Sequence, residues 1–362
     1  MTPRAFVPWF GWAVFALFGV PAYAQSGAGM AASEPIELRH PMLPEKQNNA
    51  VHCLLFLNGG KALATGDSTG VVRIWDVSSR AERHALRLDE RGVDTLAVDP
   101  CGTILVAGGA SGLIRIWDIL AWKEIRTLDR TSGAVRGLCI SPDGKTLASA
   151  SPNGSKGAND KEFGIILWDI LSGKRLRTLP LDPPALGMTL LSFAPDGKSL
   201  ISGQDRTIRA WDPETGKEVR AMELPGVIHT LGSLALRGDG RRLATGVFER
   251  KIRIWDLESW SPSLEWNVPA GGEVLSVAYS PDGTFVLSGQ TDGAVGVWDA
   301  ATGQPVLRLR AKSDTSTGWP ASVTGVVMSP DGGLLAASTL NGSVTVWRMT
   351  AREANGPESR KR

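Results

Sequence analysis

Few side chains in this sequence of 362 residues belong to the types that perform chemistry. No G-x-S-x-G nucleophile elbow is predicted, because the one match to that pattern, at residues 66–70, does not lie between a strand and a helix. The sequence has neither a phosphate-binding GxxxxGK(S/T) loop nor an EF-hand calcium pattern. The four histidines do not pair at the spacing of metal ligands; they are His40, His52, His84 and His229. The sequence therefore predicts no catalytic residue, no metal site and no cofactor.

The three cysteines form neither a disulfide pattern nor a zinc pattern. Cys53 and Cys139 lie in apolar stretches, where cysteine behaves as a small hydrophobic residue, and Cys101 lies in a predicted turn. Because their number is odd and no two of them are close in sequence, we expect no disulfide.

The remaining candidates for chemistry, the numerous aspartates, belong to a repeat that runs through the chain. Seven tryptophans recur at separations of 42, 51, 43, 44, 43 and 49 residues, and all but the last precede an aspartate. They are Trp75, Trp117, Trp168, Trp211, Trp255, Trp298 and Trp347. Periods of about 40 to 45 residues with a Trp-Asp pair are typical of the four-stranded blades of a β-propeller. Turn formation in each repeat then accounts for the aspartates without catalysis.

About nineteen residues before each of these tryptophans, and farther before the third, whose repeat has an insertion, an apolar run leads into a glycine-containing turn. The turn reads Pro-Asp-Gly in four repeats, at residues 142–144, 195–197, 281–283 and 330–332. Proline presets φ, aspartate bonds to the nearby backbone and glycine tolerates positive φ. Each copy therefore predicts a hairpin between two strands.

The two markers, in register over about residues 36–349, resemble those of the WD40 repeat family. The resemblance implies an all-β fold, a seven-bladed β-propeller of four-stranded antiparallel blades, formed as one domain by residues 25–349. After Trp347 no strand pattern remains, and we expect residues 350–362 to be a disordered charged tail. The seventh blade then lacks its outer strand, and the resemblance implies that an N-terminal strand at about residues 35–39 closes the ring.

The resemblance also implies how each tryptophan is held. In the family the indole joins a hydrogen-bonded set with a hydroxyl of the second strand, an acid before the third strand and a histidine between blades. The matching residues are Ser202 and Asp205 for Trp211, and Ser288 and Asp292 for Trp298. Elsewhere the hydroxyl is matched by Thr65, Ser149 and Thr245, and the acid by Glu162 and Glu249. We expect the histidine in no blade, and Trp319 takes its position before blade seven.

The N-terminus predicts export. Arg4 precedes an apolar run over residues 5–20, and Ala-Tyr-Ala at 22–24 supplies the small residues that signal peptidase requires. Residues 1–24 are therefore a predicted signal peptide, and we expect a periplasmic or secreted protein with no membrane insertion after cleavage. The alternative is a retained membrane anchor, which the shortness of the run and Pro8 disfavour.

Loops that break the repeat length indicate where such a propeller would bind. The insertion at 152–161, the connection at 311–320 and the entry at 40–49 would emerge together on one face, usually called the top of WD40 propellers. The candidate binding residues on this face are Trp319, Lys312, Asp314, Lys156, Lys161, Arg206 and Arg250. Trp319 is the first choice because tryptophan is enriched at interface hot spots, with packing on blade seven as the alternative.

We therefore expect a non-catalytic scaffold that binds another protein through these loops. The 39 basic and 37 acidic side chains nearly balance, which gives no indication of nucleic acid as a partner. One alternative is recognition of a small ligand, a glycan or a cell-wall polymer at the channel mouth. His52 and His229 begin strands there, although a structural role is expected for both. Another alternative is an exported metal-dependent hydrolase. The sequence makes no prediction about the oligomeric state.

Overall fold

The computed structural model of the protein describes residues 30–40, 49–131, 133–151, 164–181, 189–224, 231–247, 250–269, 271–312 and 321–351. Apart from one 3-10 turn at Asn58–Gly60, the regular elements of these residues are β-strands, numbered β1 to β29 in chain order. The predicted signal peptide, residues 1–24, lies outside the described residues.

The described strands form seven blades. Blade one consists of β3 (Val51–Leu57), β4 (Ala62–Asp67), β5 (Val71–Asp76) and β6 (Ala81–Arg87). Blade two consists of β7 (Val93–Val98), β8 (Ile104–Gly109), β9 (Ile114–Asp118) and β10 (Lys123–Leu128). Blade three consists of β11 (Gly137–Ile140), β12 (Thr146–Ser151), β13 (Gly164–Asp169) and β14 (Arg175–Leu179). Blade four consists of β15 (Thr189–Phe193), β16 (Leu200–Gln204), β17 (Thr207–Trp211) and β18 (Glu218–Glu223). Blade five consists of β19 (Leu231–Leu236), β20 (Arg242–Val247), β21 (Lys251–Asp256) and β22 (Ser261–Asn267). Blade six consists of β23 (Val274–Tyr279), β24 (Phe285–Gln290), β25 (Ala294–Asp299) and β26 (Pro305–Arg310). Blade seven consists of β27 (Val323–Met328), β28 (Leu334–Thr339) and β29 (Ser343–Ala351), completed by β1 (Met30–Ala32) and β2 (Ile36–Arg39).

The seven blades form a closed ring. Within each blade the antiparallel strands are neighbours in chain order, and only blade seven borrows its outer strand from the N-terminus. The first strand of each blade lies beside the first strand of the next, and β27 lies beside β3. These inner strands surround a central channel. The predicted all-β, seven-bladed propeller of four-stranded antiparallel blades is therefore confirmed.

The N-terminal strand closes the ring, as the sequence predicts. β2 pairs with β29 in antiparallel register, with Ile36 opposite Val346. Leu38 of β2 is only 1% exposed and packs with Val51 of blade one and Val344 of blade seven. The closing strand therefore joins the first and last blades through one shared apolar cluster.

The C-terminal boundary corrects the sequence prediction. β29 continues to Ala351, whereas the charged tail was expected to begin at residue 350. The reason is β1, which pairs with the end of β29 and gives its backbone a hydrogen-bonding partner, with Met30 opposite Ala351. The sequence did not predict β1, because Met-Ala-Ala has no strand pattern. Residues 352–362 lie outside the described part of the chain.

The tryptophans of the repeat pack against the preceding blade. All seven are at most 5% exposed. Trp117 shares an apolar cluster with Val72 of blade one, and Trp75 shares one with Val344 of blade seven. Burying an indole removes about 200 Å² from water, an upper bound of about 5 kcal/mol for each residue. The tryptophans therefore hold neighbouring blades together.

Glycines on the second strands allow this close packing. A Cβ atom built on Gly108 of β8 would lie 2.6 Å from Val135 in the next blade. The same distance separates a Cβ atom on Gly246 of β20 from Val274 of blade six. Because real side chains do not approach so closely, any larger residue at these points would push the blades apart.

The strand order defines two faces of the disc. The loops between blades lie at the same end as the turns between second and third strands, and we call this end the top face. The other turns lie at the opposite end, the bottom face. There the aspartate of a Trp-Asp pair caps the turn after it: Asp256 accepts the N–H of Ser259 at 2.9 Å. Turn formation thus explains these aspartates.

The closing strand gives the first testable prediction. Leu38→Ala removes a fully buried side chain at the junction of first and last blades, so it should lower the free energy of unfolding by about 2–5 kcal/mol. Urea denaturation measures this change. The control is Leu120→Ala, the same substitution at a side chain that is 72% exposed, which should change stability by about 0.5 kcal/mol or less. Equal effects of the two substitutions would contradict closure by β2.

Candidate functional site

Three of the candidate binding residues lie in the described part of the top face. Arg206 is in the turn between β16 and β17, Arg250 is in the turn between β20 and β21, and Lys312 follows β26. All three residues are exposed. The strand order therefore brings these cations to one face, on blades four and five and on the connection from blade six to blade seven.

The backbone that carries these three side chains is fixed by hydrogen bonds. The carbonyl oxygens of Arg206 and Arg250 accept the N–H groups of Leu224 and Val268, each at 2.8 Å. The N–H of Lys312 donates to Thr345 Oγ1 of blade seven at 3.0 Å. The exposed side chains therefore project from turns that are tied to the sheets beneath them.

The other four candidates cannot be placed on the structure. Trp319, Asp314, Lys156 and Lys161 lie outside the described residues. Their membership of the top face remains a prediction from the sequence.

Blade one contains a histidine relay, which corrects the expectation that no blade has the histidine. His40 follows the closing strand directly and is buried. Its Nδ1 lies 3.0 Å from Asp67 Oδ2, and its Nε2 lies 2.9 Å from Thr65 Oγ1. Trp75 Nε1 donates to the same hydroxyl at 2.9 Å. The four residues are therefore connected by one path of hydrogen bonds.

One protonation state satisfies every donor of the relay. Burial lowers the pKa of His40, against the hydrogen bond to Asp67 that raises it, so the imidazole is neutral at pH 7. With the proton on Nδ1, His40 donates to Asp67 and accepts the hydroxyl hydrogen of Thr65. Burial raises the pKa of Asp67, but hydrogen bonds from His40 and Thr69 outweigh that effect and hold the pKa at about 2. Asp67 is therefore ionised at neutral pH.

Four of the other repeat tryptophans are held by the hydroxyl that the resemblance implied. The indole N–H groups of Trp211 and Trp298 donate to Ser202 and Ser288, at 2.9 and 2.8 Å. Ser149 and Thr245 accept from Trp168 and Trp255 in the same way.

The acids assigned to Trp211 and Trp298, Asp205 and Asp292, do not take the place that Asp67 has in blade one. In blade one, Asp67 stands two residues after Thr65, on the same face of the strand. Gln204 and Gln290 take that place in blades four and six. Asp205 lies one residue farther, in the turn, where φ is +50°, and Asp292 forms an ion pair with Arg308 at 3.4 Å. Glu162 and Glu249 lie outside the described residues.

A second polar cluster lies at the top end of the channel. His52 Nδ1 of β3 lies 3.1 Å from Asp94 Oδ1 of β7. Nη1 of Arg136, directly before β11, lies 3.2 Å from Asp94 Oδ2. The Asp94 side chain is 7% exposed, whereas those of His52 and Arg136 are 34% and 43% exposed. We call these three residues the mouth cluster; it connects blades one, two and three.

Sequence reasoning found only His52 in this cluster and expected a structural role for it. The signal that would have found Asp94 and Arg136 is their common position in the repeat. His52 and Asp94 are the second residues of β3 and β7, and Arg136 stands at the corresponding position directly before β11. The pairing register shifts at this place in blades one and two, which marks a bulge. Alignment of the repeats on their glycine turns would have placed the three residues in one ring.

Two features are absent from the described residues. No group of three or more His, Cys, Asp or Glu side chains among them is arranged to hold a metal ion. None of their elements is a helix with the length and apolarity needed to cross a membrane.

Comparison with known proteins identifies the family. The family model described as "WD domain, G-beta repeat" matches residues 42–76, 83–118, 122–155, 185–212, 262–299 and 312–348. Because these segments make up more than half of the chain, the protein belongs to this family, whose propellers typically serve as protein-interaction scaffolds. Blade five is present in the structure although the matched segments omit it.

The chain is also similar to the "Periodic tryptophan protein 2 homolog" of Schizosaccharomyces pombe. The two are 34% identical over 76 residues, which are 21% of this chain. The matched part spans only 9% of the yeast protein. The similarity therefore extends to less than two repeats.

The relay predicts an acid dependence of stability. Because the pKa of Asp67 is lowered from 3.8 to about 2, its ionised form stabilises the folded state above pH 4, and that contribution is lost as the pH falls towards 2. Asp67→Asn should therefore be less stable than the wild type at pH 7. The difference should shrink by about 2 kcal/mol between pH 5 and pH 2, as measured by urea denaturation.

Asp205→Asn is the matched control, because burial raises the pKa of Asp205 instead of lowering it. The ionised form of Asp205 does not stabilise the fold, so this variant should be at least as stable as the wild type at pH 7. A constant difference between Asp67→Asn and the wild type across this pH range would show that Asp67 is not held ionised by the relay.

Proposed function

We infer that this protein is a non-catalytic scaffold that binds another protein on its top face, in the periplasm or outside the cell. The observation that carries the proposal is the placement of Arg206, Arg250 and Lys312. These exposed cations lie on one face of a closed ring, on turns whose backbone is hydrogen-bonded to the sheets. A surface that is rigid before binding loses little conformational entropy when a partner docks.

The position of β1 is consistent with an exported scaffold. Met30, the first described residue, lies opposite Ala351 at the bottom end of blade seven. The point where residues 1–29 join the ring is therefore on the face opposite the candidate site. Cleavage after Ala24 would leave β1 and the top face in place.

The top face is tested by charge reversal. Arg206→Glu, Arg250→Glu and Lys312→Glu, combined in one variant, should lose at least tenfold of the partner captured by crosslinking in intact cells. The reason is that like charges across an interface cost several kcal/mol. Mass spectrometry identifies the partner with the wild type and quantifies it with the variant.

A matched variant controls for the change in net charge. Lys145→Glu, Lys198→Glu and Arg241→Glu reverse three exposed cations in turns of the bottom face. This variant should capture the partner as the wild type does, with both variants folded by circular dichroism. Equal capture by the two variants would overturn the assignment of the top face.

Export is tested by determination of the mature N-terminus. The wild-type protein recovered from cells should begin at Gln25, because Ala22 and Ala24 fit the small pockets of signal peptidase. Ala24→Phe should block cleavage, whereas Ala24→Gly should preserve it. Recovery of the uncleaved wild-type chain in the membrane fraction would instead identify residues 5–20 as an anchor.

A further inference from the structure

The mouth cluster presents two nitrogen-bearing side chains to the channel and hides the carboxylate between them. Asp94 Oδ1 lies within hydrogen-bonding distance of His52 Nδ1, whereas Oδ2 forms an ion pair with Arg136 and has no hydrogen-bond partner among the described residues. The accessible groups are the remainder of the Arg136 guanidinium and the far side of the His52 ring. Since a guanidinium has five N–H donors, contact with Asp94 leaves others for a ligand.

The positions that correspond to His52, Asp94 and Arg136 in the later blades carry no charge. The corresponding positions are Gly232 in blade five, Leu275 in blade six and Thr324 in blade seven. The hydroxyl of Thr324 donates to the carbonyl oxygen of Val51 at 2.5 Å, so it is used within the protein. At this position of the inner strands, the described charged residues therefore belong to blades one, two and three.

We propose that the mouth cluster is a carboxylate-binding site, which takes an acidic side chain of the partner protein between Arg136 and His52. Arg136 offers its free edge to the two oxygens, because the planar guanidinium matches a carboxylate. His52 contacts Asp94 through Nδ1, so its Nε2 on the other side of the ring is the second donor to the ligand. Asp94 is a positioning residue that orients both donors. This inference rests on the proposed function and names the chemistry of the partner.

A basic side chain is the less suitable occupant. It would have to reach the Asp94 oxygens, and Asp94 Oδ2 is wholly buried beneath its neighbours. Arg136, whose guanidinium lies 3.2 Å from that oxygen, would have to move away and would repel the incoming cation. The existing geometry therefore favours an anion.

The test uses a fluorescent hexaglutamate peptide as probe, with hexalysine as its opposite. Fluorescence anisotropy at low salt should show binding of hexaglutamate and none of hexalysine. Arg136→Gln and His52→Gln should each weaken binding at least tenfold, which corresponds to about 1.4 kcal/mol. Arg136→Lys should bind hexaglutamate more tightly than Arg136→Gln does, because lysine keeps the positive charge but lacks the planar set of N–H donors of the guanidinium. Arg241→Gln, the same change on the bottom face, should bind as the wild type does.

Asp94→Asn separates positioning from charge. If Asp94 acted only through its charge, removing that charge would strengthen binding of an anion. If it orients His52 and Arg136, its loss should weaken binding at least threefold. Tighter binding by this variant would therefore overturn the positioning role. Thermal unfolding of every variant shows whether the fold is kept, and the two conservative variants, Arg136→Lys and Asp94→Asn, keep the test decisive if a glutamine variant fails to fold.

The outcomes distinguish this inference from the proposed function. Preference for hexalysine, or no binding of hexaglutamate up to about 1 mM, overturns the carboxylate site. Unchanged binding by folded Arg136→Gln and His52→Gln also overturns it. If the cellular partner is nevertheless lost by the top-face charge reversal, the scaffold function stands and only the carboxylate site is wrong. If the top-face reversal has no effect either, the proposed function fails as well.

Discussion

No blade of this protein can bury its apolar faces without its neighbours. Each repeat tryptophan packs on the preceding blade, so the tryptophan of blade one, Trp75, depends on blade seven. The ring must therefore close before any blade is fully packed. Closure comes from Ile36–Arg39, which adds the outer strand of blade seven and also packs on blade one through Leu38. The stability of all seven sheets thus depends on one short N-terminal strand.

The polar chemistry of the interior is concentrated where the ring closes. His40 directly follows the closing strand and bonds to Asp67 and Thr65, which in turn holds Trp75. Within the described part of the chain, neither a histidine nor an acid bonds to the hydroxyls that hold Trp211 and Trp298. A buried ionised carboxylate requires several donors, so the relay forms only when the closing strand brings His40 into place. We conclude that the relay specifies the correct closure more than it adds to the stability of blade one alone.

The sequence predicted the features that recur in every blade, and it missed the contacts between residues of different repeats. The spacing of the tryptophans and the glycine turns predicted seven blades, and the strand missing after Trp347 predicted β2. His40 was missed because it precedes the first repeat, and only closure brings it to Asp67. Asp205 was misassigned because one residue decides whether a side chain lies on the strand or in the turn. Asp94 was missed because its partners, His52 and Arg136, belong to different blades.

The mouth cluster joins binding to the architecture of the ring. His52, Asp94 and Arg136 come from three successive blades, so their mutual distances depend on how those blades pack. A ligand that bridges His52 and Arg136 binds the closed ring and not the unfolded chain, and it must therefore stabilise the ring by mass action. Conversely, a substitution that loosens the packing of blade one on blade two would separate His52 from Asp94 and weaken the site. The function of this surface is thus tied to the same packing constraint that governs the fold.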